Sequence, residues 1–175
     1  MGAKQQNFRG STQLRLRGSH ESDFSKGNWY FCSQARFPKE AGGAAPNAVF
    51  PGHIRRIIWT TDGWPLVLPE RYGAVPQVEI TEDEIIGIWE HIDLGYAYEK
   101  QKEAVTMEFA ADHTIISSGP WKGGKWSYNA EKKVLTANGV SLYLSRETDW
   151  EAAPRKHTIV YVGLGDHKTY WGKKQ

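Results

Sequence analysis

The chain has 175 residues, 39% of them apolar and 24% charged, with a net charge of +2 and a pI of about 8.6. This balance excludes an intrinsically disordered chain. The positive excess is too small for a nucleic-acid face. No run of about 18 apolar residues is present to cross a membrane as a helix, and the single cysteine, Cys32, excludes an internal disulfide.

Aromatic residues reach 13%, with 8 Trp and 8 Tyr. Each ring that is fully buried removes roughly 150–250 Å² from water, a contribution of a few kcal/mol. The chain can therefore build a core, and the rings left outside suit the flat faces of sugars.

Read in chain order, the N-terminus (MGAKQQNFRG) lacks the apolar stretch of a secretory leader, so the chain as given is expected in the cytoplasm. As the tail of a longer enzyme it would be extracellular or cytoplasmic with that enzyme. Lys4, Arg9, Arg15 and Arg17 make a basic, solvated tail. Asn28 to Phe37 reads as a strand with Cys32 as a buried, inert thiol. Residues 41–51 (AGGAAPNAVFP) read as a loop. His53 to Thr60 is a second strand. It runs through Asp62-Gly63, a strong hairpin signal, into Trp64 to Leu68. Arg71 to Gln77 reads as a linker.

After the linker, Ile85 to Ile92 is expected as a strand. A helical turn over Glu82–Glu90 is the alternative, but the isoleucines favour strand. Further strands are expected at Ala104–Phe109, Ile115–Ser118, Lys125–Tyr128, Lys133–Thr136, Val140–Leu144, His157–Leu164 and Thr169–Gly172. Turns are expected at Ala111–His113, Asn138-Gly139 and Asp166-His167. Strands recurring about every ten residues, with no amphipathic helix, predict an all-β chain with an antiparallel sandwich or barrel. Two units are expected, residues 1–76 and 77–175.

The run Asp62 to Tyr72 (DGWPLVLPERY) resembles the segment that ends the catalytic β-propeller of family 43 glycoside hydrolases of the arabinanase type. Arg36-Phe37 before it, Ile86-Gly87-Ile88-Trp89 after it and Tyr170-Trp171-Gly172-Lys173-Lys174 at the end are similar to further segments of that family, in the same order. The resemblance implies the last blade or closing strands of a β-propeller, followed by a small antiparallel, lipocalin-like β-barrel. It also implies a non-catalytic part of an arabinan-degrading enzyme, with arabinan or a related plant polysaccharide and the catalytic propeller as partners, and with neither nucleic acid nor membrane.

Family members hydrolyse with inversion, using two carboxylates about 6.5–9.5 Å apart. These lie upstream of anything matching this chain, so no catalytic residue carries over. Gly18-Ser19-His20-Glu21-Ser22 resembles a family segment whose histidine lies beside a calcium ion. By that match His20 is the metal candidate, for Ca bound only within the complete propeller. Calcium prefers oxygen ligands, so a lone imidazole supports only a weak, water-rich site. The family's asparagine is Glu21 here, and Gln34 replaces the histidine before Arg36-Phe37.

Two other functions compete. In a free-standing carbohydrate-binding barrel, Trp121, Trp126 and Trp150 would be exposed stacking platforms for the substrate, with Lys122, Lys125 and Arg146 as donors. In a lipocalin-like binder, the barrel would hold a small apolar ligand, although bulky Trp, Met107 and Phe109 compete for the same interior.

Overall fold

The structure is a computed structural model and describes residues 27–34, 52–94 and 102–175. Among these residues every regular element is a strand: β1 (Trp29–Gln34), β2 (Gly52–Trp59), β3 (Pro65–Val67), β4 (Gly87–Leu94), β5 (Val105–Phe109), β6 (Ile115–Ser117), β7 (Trp126–Asn129), β8 (Val134–Ala137), β9 (Val140–Asp149), β10 (Lys156–Gly165) and β11 (Lys168–Lys174). β1, β2 and β3 form a three-stranded sheet in that order. The other eight form one antiparallel sheet, ordered β6-β5-β4-β11-β10-β9-β8-β7.

That sheet curls until its edges meet. Thr114 and Lys125 form a bridge between them, flanked by the Ile115 amide on the Gly124 carbonyl and the Trp126 amide on the His113 carbonyl. The result is a nearly closed barrel, joined at this point by backbone hydrogen bonds.

The turns are set by residues that tolerate a left-handed backbone. Asn138 and Gly139 have φ of 48° and 82°, and join β8 to β9. Asp166 and His167 have φ of 49° and 59°, and join β10 to β11. Both pairs have the positive φ at two central residues that suits a tight hairpin.

The barrel is filled by side chains. Trp89, Met107, Phe109, Ile115, Leu135, Leu142 and Tyr161 are all essentially inaccessible and share one core cluster. Trp89 meets Phe109 edge-on at 5.7 Å and Tyr161 at 5.3 Å. This packing occupies the middle of the barrel, where the small-ligand reading required space.

Two elements differ from expectation. Ile85 and Ile86 precede β4 instead of opening it. The Thr81 amide donates to the Glu84 carboxylate, and the Glu84 amide to the Thr81 carbonyl. This is one half of a capping box, the Glu84 carboxylate on the Thr81 amide, closed by backbone turns from Thr81 to Glu84 and from Glu82 to Ile85. The turn pushes Ile85, with Ile80, into the end of the barrel as a plug, both nearly inaccessible. β9 also runs five residues past the expected Leu144, to Asp149. Its polar outer end is paired throughout with β10, down to Asp149 opposite Lys156.

Candidate functional site: the seam and the mouth of the barrel

The strands β9, β10 and β11 are covered on both sides. Inward they supply Leu142, Leu144, Ile159, Tyr161 and Tyr170 to the barrel core. Outward, Tyr143, Val160 and Val162 form a second cluster with Leu66 and Leu68, joined by Ile58 and Trp171. The three-stranded sheet and the chain that follows it are thus laid along the outer wall of the barrel. Polar contacts fix the alignment: the Trp171 indole donates to the Val67 carbonyl (3.1 Å), the Thr61 amide to the Tyr143 hydroxyl (3.0 Å), and the Trp150 indole to the Arg71 carbonyl (2.9 Å).

Two charge clusters sit in this seam. Glu147 on β9 is fully buried, and the Arg56 guanidinium of β2 donates to it at 3.1 Å. Burial holds the Glu147 carboxyl above the usual carboxylate range, and the Arg56 charge opposes that shift. Farther along, the Lys173 ammonium lies 3.3 Å from Glu70, 3.1 Å from Asp149 and 3.0 Å from Glu151. Burial alone would lower the Lys173 pKa, but hydrogen bonding to Glu151 and the charge of Glu70 carry it upward. Glu70 is raised by burial. Burial would raise Asp149 too, yet its contact with Lys173 holds it below the ordinary range.

Glu70, Asp149 and Glu151 are the one group of acids, among the described residues, whose oxygens converge closely enough to hold a metal ion. Lys173 already places its positive charge among them, so the cluster reads as an ion pair network. It clamps the chain after β3 to β9 and β11.

At one end of the barrel a cleft of about 200 Å³ is lined by Glu84, Arg146, Lys156, His157 and Lys174, among others. Its cations are largely committed. Arg146 donates to both Glu84 oxygens (2.9 and 2.8 Å), and Lys174 donates to the backbone carbonyls of Glu84 and Ile86.

The other end, the mouth, contains a layer of rings. On neighbouring strands His91, Gly172 and Tyr161 lie in one row. A Cβ on Gly172 would come within 2.0 Å of the Tyr161 ring, so only glycine lets that ring cross β11. Tyr161 thereby reaches His91, with its hydroxyl 2.6 Å from Nδ1. Trp121 and Tyr170 flank the imidazole, with ring centroids at 4.7 and 5.7 Å. Burial lowers the His91 pKa to about 4, so the imidazole is neutral near pH 7. The Tyr161 hydroxyl is wholly buried, and its hydrogen bond with Nδ1 satisfies it, in a direction set by the imidazole tautomer.

The residues expected from sequence fall apart in space. Trp126 is 3% exposed, packed on Phe109 and His113 with its indole donating to the Ala110 carbonyl. The exposed platform expected there is absent, because Trp126 belongs to the core. Trp150 is held between the guanidinium groups of Arg71 and Arg155, at 4.9 and 4.8 Å, and serves the seam. Trp121 is half-buried in the mouth layer, with φ of 63°. Of the expected donors, Arg146 is tied to Glu84, while Lys122 and Lys125 are exposed. Cys32 is half-buried. His20, Glu21 and Arg36-Phe37 lie outside the described residues. His91 and Tyr161 were not anticipated. Their one signal was the pairing of a strand histidine with the glycine of Trp171-Gly172.

Comparison with known proteins places this architecture. Residues 69–172 match the C-terminal lipocalin-like domain of glycoside hydrolase family 43. The chain is 25% identical over 157 residues to extracellular endo-alpha-(1->5)-L-arabinanase 2 of Bacillus subtilis, covering 87% of this chain and 31% of that protein. Among solved structures it resembles the family 43 YxiA protein of Bacillus licheniformis (TM-score 0.67, 19% identity) and endo-1,5-alpha-L-arabinanase of Thermotoga petrophila RKU-1 (TM-score 0.68, 19% identity). Each structural match covers 86% of this chain and 33% of the other. The chain therefore spans about a third of the length of these relatives.

Proposed function

Since the chain belongs to the family of C-terminal lipocalin-like domains of glycoside hydrolase family 43, we propose that it is the non-catalytic C-terminal portion of an arabinan-degrading enzyme. Its barrel buttresses the catalytic propeller, and the three-stranded sheet is the propeller's closing part. The observation that carries this reading is the seam. The sheet is fastened along one wall of the barrel by Leu66 and Leu68, by the buried Arg56–Glu147 pair and by the Lys173 cluster. An arrangement buried on this scale holds two units in a fixed orientation, as a prop requires. The names of the relatives support arabinan as the polysaccharide on which the assembled enzyme acts. Calcium at His20 belongs to the propeller side of this proposal.

Two features favour a non-catalytic role. Glu84 is held by Arg146 and Thr81. Glu70, Asp149 and Glu151 surround a lysine, which commits these three carboxylates to an ion-pair network instead of a sugar and a water between them. The test is to incubate the purified chain with linear arabinan and measure reducing ends. No release above a heat-killed control is expected, and clear turnover would contradict the proposal.

A further inference from the structure

The cleft at the end of the barrel opposite the mouth is built by strand register. Arg146 on β9 stands opposite Ile159 on β10, and Val160 opposite Lys173 on β11 puts Lys174 on the far side of Ile159. Neighbouring strands lie about 4.8 Å apart, so Arg146 and Lys174 flank a floor of Ile159 with about 10 Å between their backbones. His157 lies two residues before Ile159 on β10 and leaves the same face of that strand. Lys156 opens the strand beside it. The sheet thus brings the side chains of Arg146, Lys156, His157 and Lys174 to one hollow of about 200 Å³.

The protein meets only part of what these groups can donate. Arg146 directs Nε to the Val78 carbonyl and Nη2 to the Glu79 carbonyl and both Glu84 oxygens, and its Nη1 has no partner among the described residues. Lys174 donates to the backbone carbonyls of Glu84 and Ile86. The Lys156 and His157 side chains are exposed and have neither a hydrogen bond nor an ion pair among the described residues. The charge is unbalanced as well. Arg146, Lys156 and Lys174 line the cleft against one carboxylate, Glu84, whose two oxygens are both taken by Arg146 at 2.9 and 2.8 Å. Burial lowers the Lys174 pKa, and the Glu84 charge opposes that shift without cancelling it.

These groups select a ligand by its chemistry. A cation entering the cleft would meet its own sign. An apolar group would strip water from Lys156 and His157 without replacing the lost hydrogen bonds. An oxyanion brings the opposite charge together with several acceptors, and hydrogen bonds between charged partners are the strong ones. Lys156, His157 and Gln175 are exposed at the rim, so a ligand can enter without moving the barrel wall.

We propose that this cleft binds a small oxyanion, a carboxylate or phosphate group, held by Lys156 and His157 against the wall of Arg146 and Lys174. The site is separate from the seam, and its ligand class is independent of the arabinan reading.

The test titrates the ¹⁵N-labelled full chain with inorganic phosphate and with D-glucuronate at fixed pH and ionic strength. D-glucose serves as the neutral counterpart of the sugar acid. The backbone amides of His157, Thr158 and Gln175 are followed. A saturable shift is expected with at least one of the two anions, and none with D-glucose. Binding of phosphate alone would make the ligand a phosphate group, and binding of glucuronate alone a sugar acid; either supports the site. Lys156→Ala and His157→Ala, both at exposed positions, should each weaken the binding about tenfold by removing one donor to the anion. No saturable shift with either anion overturns the proposal. So does an equal shift with D-glucose, which would take charge out of the recognition. Binding unchanged in the folded variants overturns it too, by placing the anion elsewhere.

Discussion

The two halves of the barrel wall are built to different rules. On the free half, β5 and β6 bury one face and leave the other to water: Met107 and Phe109 point in, while Ile116 is 55% exposed. On the seam half, β9 and β10 are buried on both faces, and Leu142-Tyr143-Leu144-Ser145 and Ile159-Val160-Tyr161-Val162 alternate between two cores. A strand with one wet face shows its role in an alternating pattern, whereas a strand with two dry faces shows a continuous apolar run. The polar residues of the seam half are consequently partners for the sheet that covers it, where similar residues on the free half would simply be solvated.

Breaking the comparison at its strongest point means removing one member of the buried pair. Arg56→Ala leaves Glu147 buried without its cation, and we expect a loss of about 3–5 kcal/mol in denaturant unfolding. A loss below about 1 kcal/mol would mean that water enters the seam.

The next test contrasts the two walls directly. Leu68 is fully buried in the seam, and Leu68→Ala should cost about 2–5 kcal/mol. Ile116→Ala on the free wall should stay within about 0.5 kcal/mol. Equal effects would erase the distinction.

A third prediction concerns pH and sharpens the inner side of the free half, where β4 carries His91. The imidazole has a pKa of about 4 in the fold and 6.5 as its ordinary value. The unfolded chain therefore binds this proton more readily than the folded one. The stability due to neutral His91 is complete above pH 6.5 and falls as pH drops toward 4, by roughly 3 kcal/mol in all. Glu147 and Glu70, raised by burial, act with the opposite sign, and His53, lowered by burial, acts with the same sign. The share of His91 is therefore read as the difference between the wild type and a His91 variant between pH 6.5 and 5. His91→Gln should flatten the stability profile there, and an unchanged slope would remove His91 as its cause.

Much of the barrel is legible in the sequence because its signals are local. Asp62-Gly63, Asn138-Gly139 and Asp166-His167 mark turns through backbone preference, and the segments between them alternate. What escapes is set by distant partners. Ser145 to Asp149 reads as polar chain until Arg56, Gln77 and Lys173 supply its contacts across long sequence separations. Thr81-x-x-Glu84 was a readable capping signal, outweighed by the β-branched run behind it. The tryptophans mislead for another reason: Gly-rich surroundings suggest exposure, yet Trp126 packs inward across the barrel and Trp150 is sandwiched by arginines 79 positions upstream and nearby in sequence. The His91–Tyr161 contact needs the register of three strands before it exists at all.

The seam is tested most directly by a double-mutant cycle on Arg56 and Glu147. Stabilities of the wild type, Arg56→Ala, Glu147→Ala and the double variant would be compared in denaturant. A seam that excludes water predicts strong coupling, with the double variant about 1–3 kcal/mol more stable than the two single losses would sum to. Additivity within about 0.5 kcal/mol would show that the sheet and the barrel wall do not depend on each other there, and the buttress would lose its anchor.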